Sequence, residues 1–349
     1  MKYPSSVHSN DWYLRMYCEE IANKRIFSLP SVREMDPIVK VRKEGEISIY
    51  TVKKILTDTQ TEACLAKFLT EKHFPLILKE NADVYNEEGK LLLRFRKNVL
   101  SEKAIDRAYE AMKDFIKNTS KDRGIASGSK PGVPTGKKHK VMSNILGFFD
   151  TWAVGQKGTF KHSGIKPPGS CRLTRFNAQH PEEFKQIVPL IKEIDMQYKE
   201  LCPIQHEDQI KAAKLTPFHI RGTSFSTITT NLNFRTAAHQ DKGDWPTGFG
   251  NLVVIERGSG YTGSYTGFPQ YGVAVDCRTG DFVAMDVHQI HGNTPMVKED
   301  DTSQRISLVC YLREGIIKKC RDQKMYDHVK LEKRLARFRQ TLKKKQKNE

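Results

Sequence analysis

The chain has 349 residues, 38% of them hydrophobic, and Lys and Arg outnumber Asp and Glu by 58 to 41 for a net charge of +17. That length suffices for one large domain or two ordinary ones. No run approaches the roughly 18 apolar residues of a membrane span, and the opening Met1 to Ser6 lacks the apolar stretch of a secretion signal. The expectation is therefore a soluble intracellular protein, nuclear if the source is eukaryotic. Seven cysteines, odd in number and without a C-x-x-C pair, predict reduced and mostly buried thiols.

In chain order, Asn10 to Phe27 has the composition of an amphipathic helix anchored by Trp12, Met16, Ile21 and Ile26. Ile38 to Val41 and Ile47 to Val52 read as a hairpin with Gly45 in its turn. Thr57 to Gln60 fits a capping box for a helix carrying Ala63, Leu65, Phe68 and Leu69. Pro75 to Leu78 and Leu91 to Phe95 look like a second strand pair around Asn86 to Gly89, and Ser101 to Asn118 is a helix by its apolar spacing of three and four.

Residues 119–142 turn to Gly, Ser, Pro and Lys, which predicts a basic flexible loop, either ordering on a nucleic-acid backbone or a plain insertion. Ser143 to Val154 is an apolar, aromatic core segment, and Pro181 to Leu201 a helix that Pro189 should kink. Cys320 to Lys347 reads as a basic helix with Met325, Val329, Leu331, Leu335 and Phe338 inside, presenting Lys343 to Lys345 to phosphate or serving as an import signal.

The chain's chemistry concentrates in Thr223 to Tyr311. Phe225 to Phe234 is β-branched and alternating, with Ile228, Leu232 and Phe234 on an apolar face and Thr227, Thr229, Asn231 and Asn233 on a polar one. Continued, the alternation puts Arg235, His239 and Asp241 on the polar face. Gly250 to Arg257 and Arg305 to Leu312 read as further strands, with Val273 to Cys277 and Asp281 to Asp286 as a hairpin around Arg278 to Gly280. Many short strands with turn signals predict an α+β protein with a double-stranded β-helix core, a jelly roll of cupin-like form, helices packed outside it and a basic C-terminal helix.

Two histidines and one carboxylate on one face of a metal form the facial triad of non-haem iron oxygenases. His239, Asp241 and His291, the last 52 residues after the first, fit that pattern. An H-x-D pair alone is weak; the strand before it, the Gly-flanked histidine after it and Arg305 in the next strand strengthen the reading. His288 competes with His291, which is favoured because Gly292 relieves crowding and the step to Arg305 fits better. The division expected is an N-terminal α/β region over 1–118 packing on the core, the loop over 119–142, the oxygenase core over 143–315 and the basic helix over 316–349.

At these residues the sequence resembles the TET and base-J-binding-protein (JBP) dioxygenases, and the JBP-type branch more closely. The resemblance is carried by His239 to Asp244 (HQDKGD), Phe268 to Asp276 (FPQYGVAVD) and Gly280 to Asn293 (GDFVAMDVHQIHGN), and covers roughly residues 215–315. It implies that His239, Asp241 and His291 hold Fe(II), and that Arg305 pairs with the distal carboxylate of 2-oxoglutarate, with O2 as oxidant. A planar bidentate fork suits that carboxylate, although it would also suit another acidic cosubstrate such as ascorbate, or could be a surface strand arginine. Asp244 could orient a cosubstrate, accept a hydrogen bond from a base, or cap the Lys242 to Pro246 turn. Asn231, Asn233 and Arg235 are substrate-binding candidates from periodicity, and the Tyr261 to Phe268 loop is either a pocket for a base or a strand connection.

The resemblance implies hydroxylation of the 5-methyl group of thymine or 5-methylcytosine in DNA. The alternatives are an iron oxygenase acting on a protein side chain or small molecule, and a non-catalytic nucleic-acid-binding protein on the same scaffold. Charge bears on the partner. Residues 120–140 carry +5, residues 151–180 carry +5 and residues 313–349 carry +9, leaving the remainder near neutral. Positive charge so gathered suits a polyanion, double-stranded DNA being the expected partner of a monomer, unless these are solvated lysines with no partner.

Overall fold

The computed structural model describes residues 34–117, 123–128, 141–152 and 154–345. The helix expected over Asn10 to Phe27 lies outside them, as does most of the loop 119–142, of which Gly124–Ser127 forms a 3-10 turn. Strands β1 (Ile38–Glu44) and β2 (Ile47–Val52) make the predicted hairpin, with Gly45 at φ 60° in its turn. Thr57 then caps helix α1 (Asp58–Glu62) through a reciprocal box with Gln60.

The sequence predicts that this helix runs on to Leu69, but it ends within two turns. Ala66 adopts φ 62°, and its N–H donates to Ala238 O at 2.9 Å. The main chain leaves the helix to hold the segment preceding His239, a tertiary bond that outweighs local helix preference.

The second strand pair also differs from expectation. Strand β4 (Ala82–Asn86), absent from the sequence reading, pairs with β5 (Leu91–Arg96), while β3 (Leu76–Leu78) runs parallel to a strand of a different sheet. Asn86 sets the turn: its Oδ1 accepts from Lys90 N at 2.7 Å, and Gly89 takes φ 76°. Residues flanking that turn are thereby the ones brought into register.

Next come α2 (Glu102–Met112), capped by Ser101, β6 (Ser143–Phe149), α3 (Val154–Ser163), β7 (Arg172–Leu173) and α4 (Arg175–Gln179). Helix α5 (Pro181–Leu201) runs unbroken through Pro189, and α6 (Pro203–Ala213) follows it directly. The core strands are β8 (Thr227–Leu232), β9 (Gly250–Arg257), β10 (Tyr261–Gly263), β11 (Thr266–Phe268), β12 (Val273–Val275), β13 (Phe282–Met285), β14 (Gly292–Asn293), β15 (Met296–Lys298) and β16 (Gln304–Tyr311).

A ten-stranded sheet has the order β1-β2-β4-β5-β13-β9-β16-β8-β6-β7, and a four-stranded sheet the order β14-β11-β12-β3. From β8 onward the chain alternates between them, so that β13-β9-β16-β8 faces β14-β11-β12. That is the double-stranded β-helix the strand count predicts. It also corrects one detail: β12 and β13 do not form a hairpin, because the Arg278 to Gly280 turn carries the chain from one sheet to the other.

Strand alternation sorts the side chains into two layers. On the outer face Ile228, Leu232, Ile306 and Leu308 pack against Ile187, Leu190, Ile191 and Ile194 of α5 and against α2. On the inner face Leu93, Phe95, Val254, Phe268, Val273 and Val283 close one end of the lumen. The other end remains polar.

At the C-terminus α7 (Glu314–Cys320) and α8 (His328–Lys345) replace the single helix expected from Cys320. Leu331 and Leu335 dock on Trp152 and Phe160, whereas Met325 and Val329, expected inside, are exposed. No helix among the described residues is long and apolar enough to cross a membrane.

The cysteines require a correction. Cys64, Cys202, Cys277 and Cys310 are buried thiols as expected, but Cys171 and Cys320, 149 residues apart, form a disulfide with Cα atoms 5.9 Å apart. Spacing along the chain carries no sign of such a long-range meeting. Because the bridge closes a long loop of the unfolded chain, reducing it or substituting Cys171→Ser should cost about 2–5 kcal/mol. Urea denaturation with and without reductant measures this, and coincident midpoints would count against it.

Candidate active site

The site begins where β8 ends. Asn233 takes φ 50°, its Oδ1 accepts from Arg305 N at 2.7 Å, and its amide donates to Ser303 O at 3.3 Å. This residue is thus committed to joining β8 to β16 and does not line the cavity, contrary to expectation. Its left-handed backbone also interrupts the two-residue alternation, so Phe234 faces the cavity and Arg235 does not. Arg235 instead donates to Leu69 O and lies 5.2 Å from the Phe68 ring centroid.

Beyond this turn the chain crosses to the smaller sheet. His239 and His291 exchange both backbone hydrogen bonds at 2.9 Å, and Asp241 N donates to Val287 O at 3.0 Å. Two segments far apart in sequence are thereby locked in antiparallel register. Gly292 permits the approach, since a Cβ there would meet Ala238 N at 3.1 Å.

The register brings three side chains together. His239 Nε2 lies 3.7 Å from Asp241 Oδ1 and His291 Nε2 3.6 Å from Asp241 Oδ2, and one ligand atom from each residue falls within 4.8 Å of the others. Each Nδ1 faces a backbone carbonyl, Ala237 O at 2.8 Å for His239 and Gln289 O at 3.0 Å for His291. A carbonyl can only accept, so each Nδ1 carries a proton and each Nε2 lone pair is free for a metal.

Burial, with His239 nearby, pushes the His291 pKa down to about 4, favouring the neutral ring that ligation needs. His288 stands apart from this cluster, with Nε2 3.0 Å from Trp245 O. The donor set of two neutral imidazoles and one carboxylate fits Fe(II) and leaves coordination positions open for other ligands.

These residues line a cavity of about 370 Å³. Strand β16 supplies one wall, with Arg305, Ser307, Val309 and Tyr311 facing in while Ile306, Leu308 and Cys310 pack outward. Thr229 and Asn231 of β8 also face in, and Asn231 donates to Ser307 Oγ at 3.3 Å. Ser307, Tyr311 and Arg313 are cavity residues that the sequence reading missed. The alternation from Arg305 would have found them, because every second residue of that strand points the same way.

Arg305 is 4% exposed, its Nε is buried without a hydrogen-bond partner, and it forms no ion pair among the described residues. An unpaired buried cation is costly, and a carboxylate entering the cavity would compensate it. On this observation the cavity fits 2-oxoglutarate. Asp244 is also buried on the cavity wall, and its N–H donates to Asp241 O at 3.2 Å. Burial, then the Asp241 charge, hold its carboxyl well above the usual range, with Arg313 opposing.

A double-stranded β-helix with two histidines, an aspartate and a buried arginine around its open end has the architecture of the Fe(II)- and 2-oxoglutarate-dependent dioxygenases. Residues 160–314 match the Tet_JBP model, the oxygenase domain of the 2OGFeDO superfamily. The description of that model points to Fe(II) and 2-oxoglutarate, with O2 as oxidant, as what proteins of the superfamily use.

The chain is 39% identical over 147 residues to the bifunctional helicase and thymine dioxygenase JBP2 of Leishmania tarentolae, covering 42% of this chain and 13% of that protein. It is 34% identical over 164 residues to the thymine dioxygenase JBP1 of Trypanosoma brucei brucei, covering 46% and 19%. The chain thus spans less than a fifth of the length of these relatives. NgTET1 in complex with 5mC DNA is a structural neighbour with a TM-score of 0.48 and 12% identity, over 87% of this chain and 92% of that one.

Proposed function

We propose that the chain is an Fe(II)- and 2-oxoglutarate-dependent dioxygenase that hydroxylates the 5-methyl group of thymine or 5-methylcytosine in double-stranded DNA, acting as a monomer and, in a eukaryotic cell, in the nucleus. The observation that carries this is one cavity holding both the His239, Asp241 and His291 cluster and a buried Arg305 that forms no ion pair among the described residues. Relatives named as thymine dioxygenases support the substrate class.

In this reading His239, Asp241 and His291 hold the iron, which when bound supplies the oxidising power for a methyl C–H bond. Arg305 fixes the far carboxylate of the cosubstrate, and Ser307, two residues along the same face, adds a hydroxyl. A methyl group inside a duplex is stacked, so the base must be extruded into the cavity, at a cost of roughly a few kcal/mol.

Asn231 and Asp244 line the cavity, and in this reading they meet the base edge. Asp244→Asn changes what that wall can donate or accept while leaving the three metal-binding side chains in place. Its expected effect is a fall in turnover of at least about tenfold with metal affinity within twofold of wild type, read by nucleoside mass spectrometry and anaerobic metal titration.

The test of the whole reading is incubation with unmodified and 5-methylcytosine-containing duplexes, with and without 2-oxoglutarate, followed by nucleoside mass spectrometry. Hydroxymethyl product that depends on 2-oxoglutarate is the expected result. Succinate formation with a protein extract but no oxidised base in either duplex would replace it with an oxygenase of another substrate class.

A further inference from the structure

Beside the catalytic cavity lies a basic surface that the site chemistry does not use. Phe149, at the end of β6, lines the cavity and meets two arginines, with the Arg313 guanidinium carbon 4.1 Å from its ring centroid and that of Arg172 at 5.5 Å. Arg313 belongs to the cavity wall, whereas Arg172 lines a second cleft of about 500 Å³ with Arg175, His328 and Arg339, where Glu332 is the sole acid among the described residues.

A third cleft, of about 710 Å³, is lined by Lys157, Lys161, Lys166 and Lys319, with Asp150 its sole acid among the described residues. Asp150 is already engaged, accepting from Arg313 at 2.8 Å and from Lys319 at 2.9 Å. Lys157, Lys161 and Lys166 are exposed and form no ion pair among the described residues.

The surface is also held in place. The Cys171–Cys320 disulfide joins the neighbours of Arg172 and Lys319, and Trp152 and Phe160 pack on Leu331 and Leu335 to seat α3 on α8. A patch of lysines that merely kept the protein soluble would need neither a bridge nor a ring, Phe149, that two arginines approach at the edge of the reaction cavity.

We propose that this face, running from Arg313 and Phe149 past Lys319 to Lys157, Lys161 and Lys166 on and after α3, is the track that holds the phosphate backbone of duplex DNA beside the cavity. The proposal deepens the reading of the chain as acting on DNA and rests on it. Phosphate contacts position a duplex without reading its sequence, which is the task this geometry suits.

The test is fluorescence-anisotropy binding of a duplex across a salt series, without metal or 2-oxoglutarate. The variant Lys157→Gln/Lys161→Gln/Lys166→Gln should weaken binding at least about tenfold and make the log-log salt slope shallower by about two to three. Replacing the same three residues by Arg should restore the wild-type slope. The control is Lys40→Gln/Lys43→Gln/Lys53→Gln, which removes equal charge next to β1 and β2, at the opposite edge of the ten-stranded sheet from β6 and β7. It should change affinity less than about twofold.

A wild-type protein that does not bind the duplex, a track variant that binds like wild type, or a control variant that loses as much would each overturn the proposal. The two readings separate cleanly. Loss of binding in the track variant without any oxidised base in the wild type keeps the surface and removes the substrate assignment. Oxidised base with unaltered binding by the variant does the reverse.

Discussion

His239→Ala and Asp241→Ala are each expected to reduce methyl hydroxylation by at least about 100-fold and to remove tight Fe(II) binding. Changing a group that only hydrogen-bonds to a metal ligand typically costs 10–100-fold in affinity or activity, and these residues supply donor atoms directly. One ligand atom from each of His239, Asp241 and His291 lies within 4.8 Å of the others, so each substitution leaves two donors where three converge. The variants should keep the fold, since the His239 to His291 register is made by backbone bonds that an alanine retains. Anaerobic titration with Fe(II), alongside nucleoside mass spectrometry, measures both effects. Wild-type metal affinity in either variant would remove the triad from the account.

Arg305→Gln should raise the KM for 2-oxoglutarate by about 30-fold or more, since losing one partner of a buried charge pair costs about 2–5 kcal/mol. Arg305→Lys should fall between, because a point charge replaces a planar fork. A second consequence runs the opposite way. Arg305 is a buried cation with no ion pair among the described residues, so without ligand Arg305→Met should leave the melting temperature unchanged or raise it. Adding 2-oxoglutarate with a redox-inert divalent metal should raise the melting temperature of the wild type but not of that variant. A variant that is less stable without ligand, yet responds to 2-oxoglutarate like wild type, would show that Arg305 is structural.

Much of the architecture was readable from local pattern. The alternation in β8 and β16, the caps at Thr57 and Ser101 and the apolar stripe of α5 each depend on residues a few positions apart. Period and residue type therefore reported them. Pattern failed where a tertiary bond decided the outcome. Ala66 left its helix to reach Ala238, and β12 and β13 separated into two sheets although their turn resembles that of a hairpin.

At the site the same division holds. His239, Asp241 and His291 were picked out because two imidazoles and a carboxylate at such spacing have few other uses, and the fold brings them together. Arg235 was assigned to the cavity by extending an alternation that Asn233 interrupts with one left-handed residue. Asn233 itself was assigned there because its side-chain bonds to β16 cannot be seen without its partners.

The sequence by itself determined the strand-rich core, the residues able to bind a metal and the segments where positive charge gathers, all of which follow from composition and short-range periodicity. Only the tertiary structure decided which strands pair, that Cys171 meets Cys320, that Arg305 is buried with no ion pair among the described residues, and that Phe149 meets two arginines. These depend on segments dozens to hundreds of residues apart, whose contact energies appear only once the chain has closed on itself.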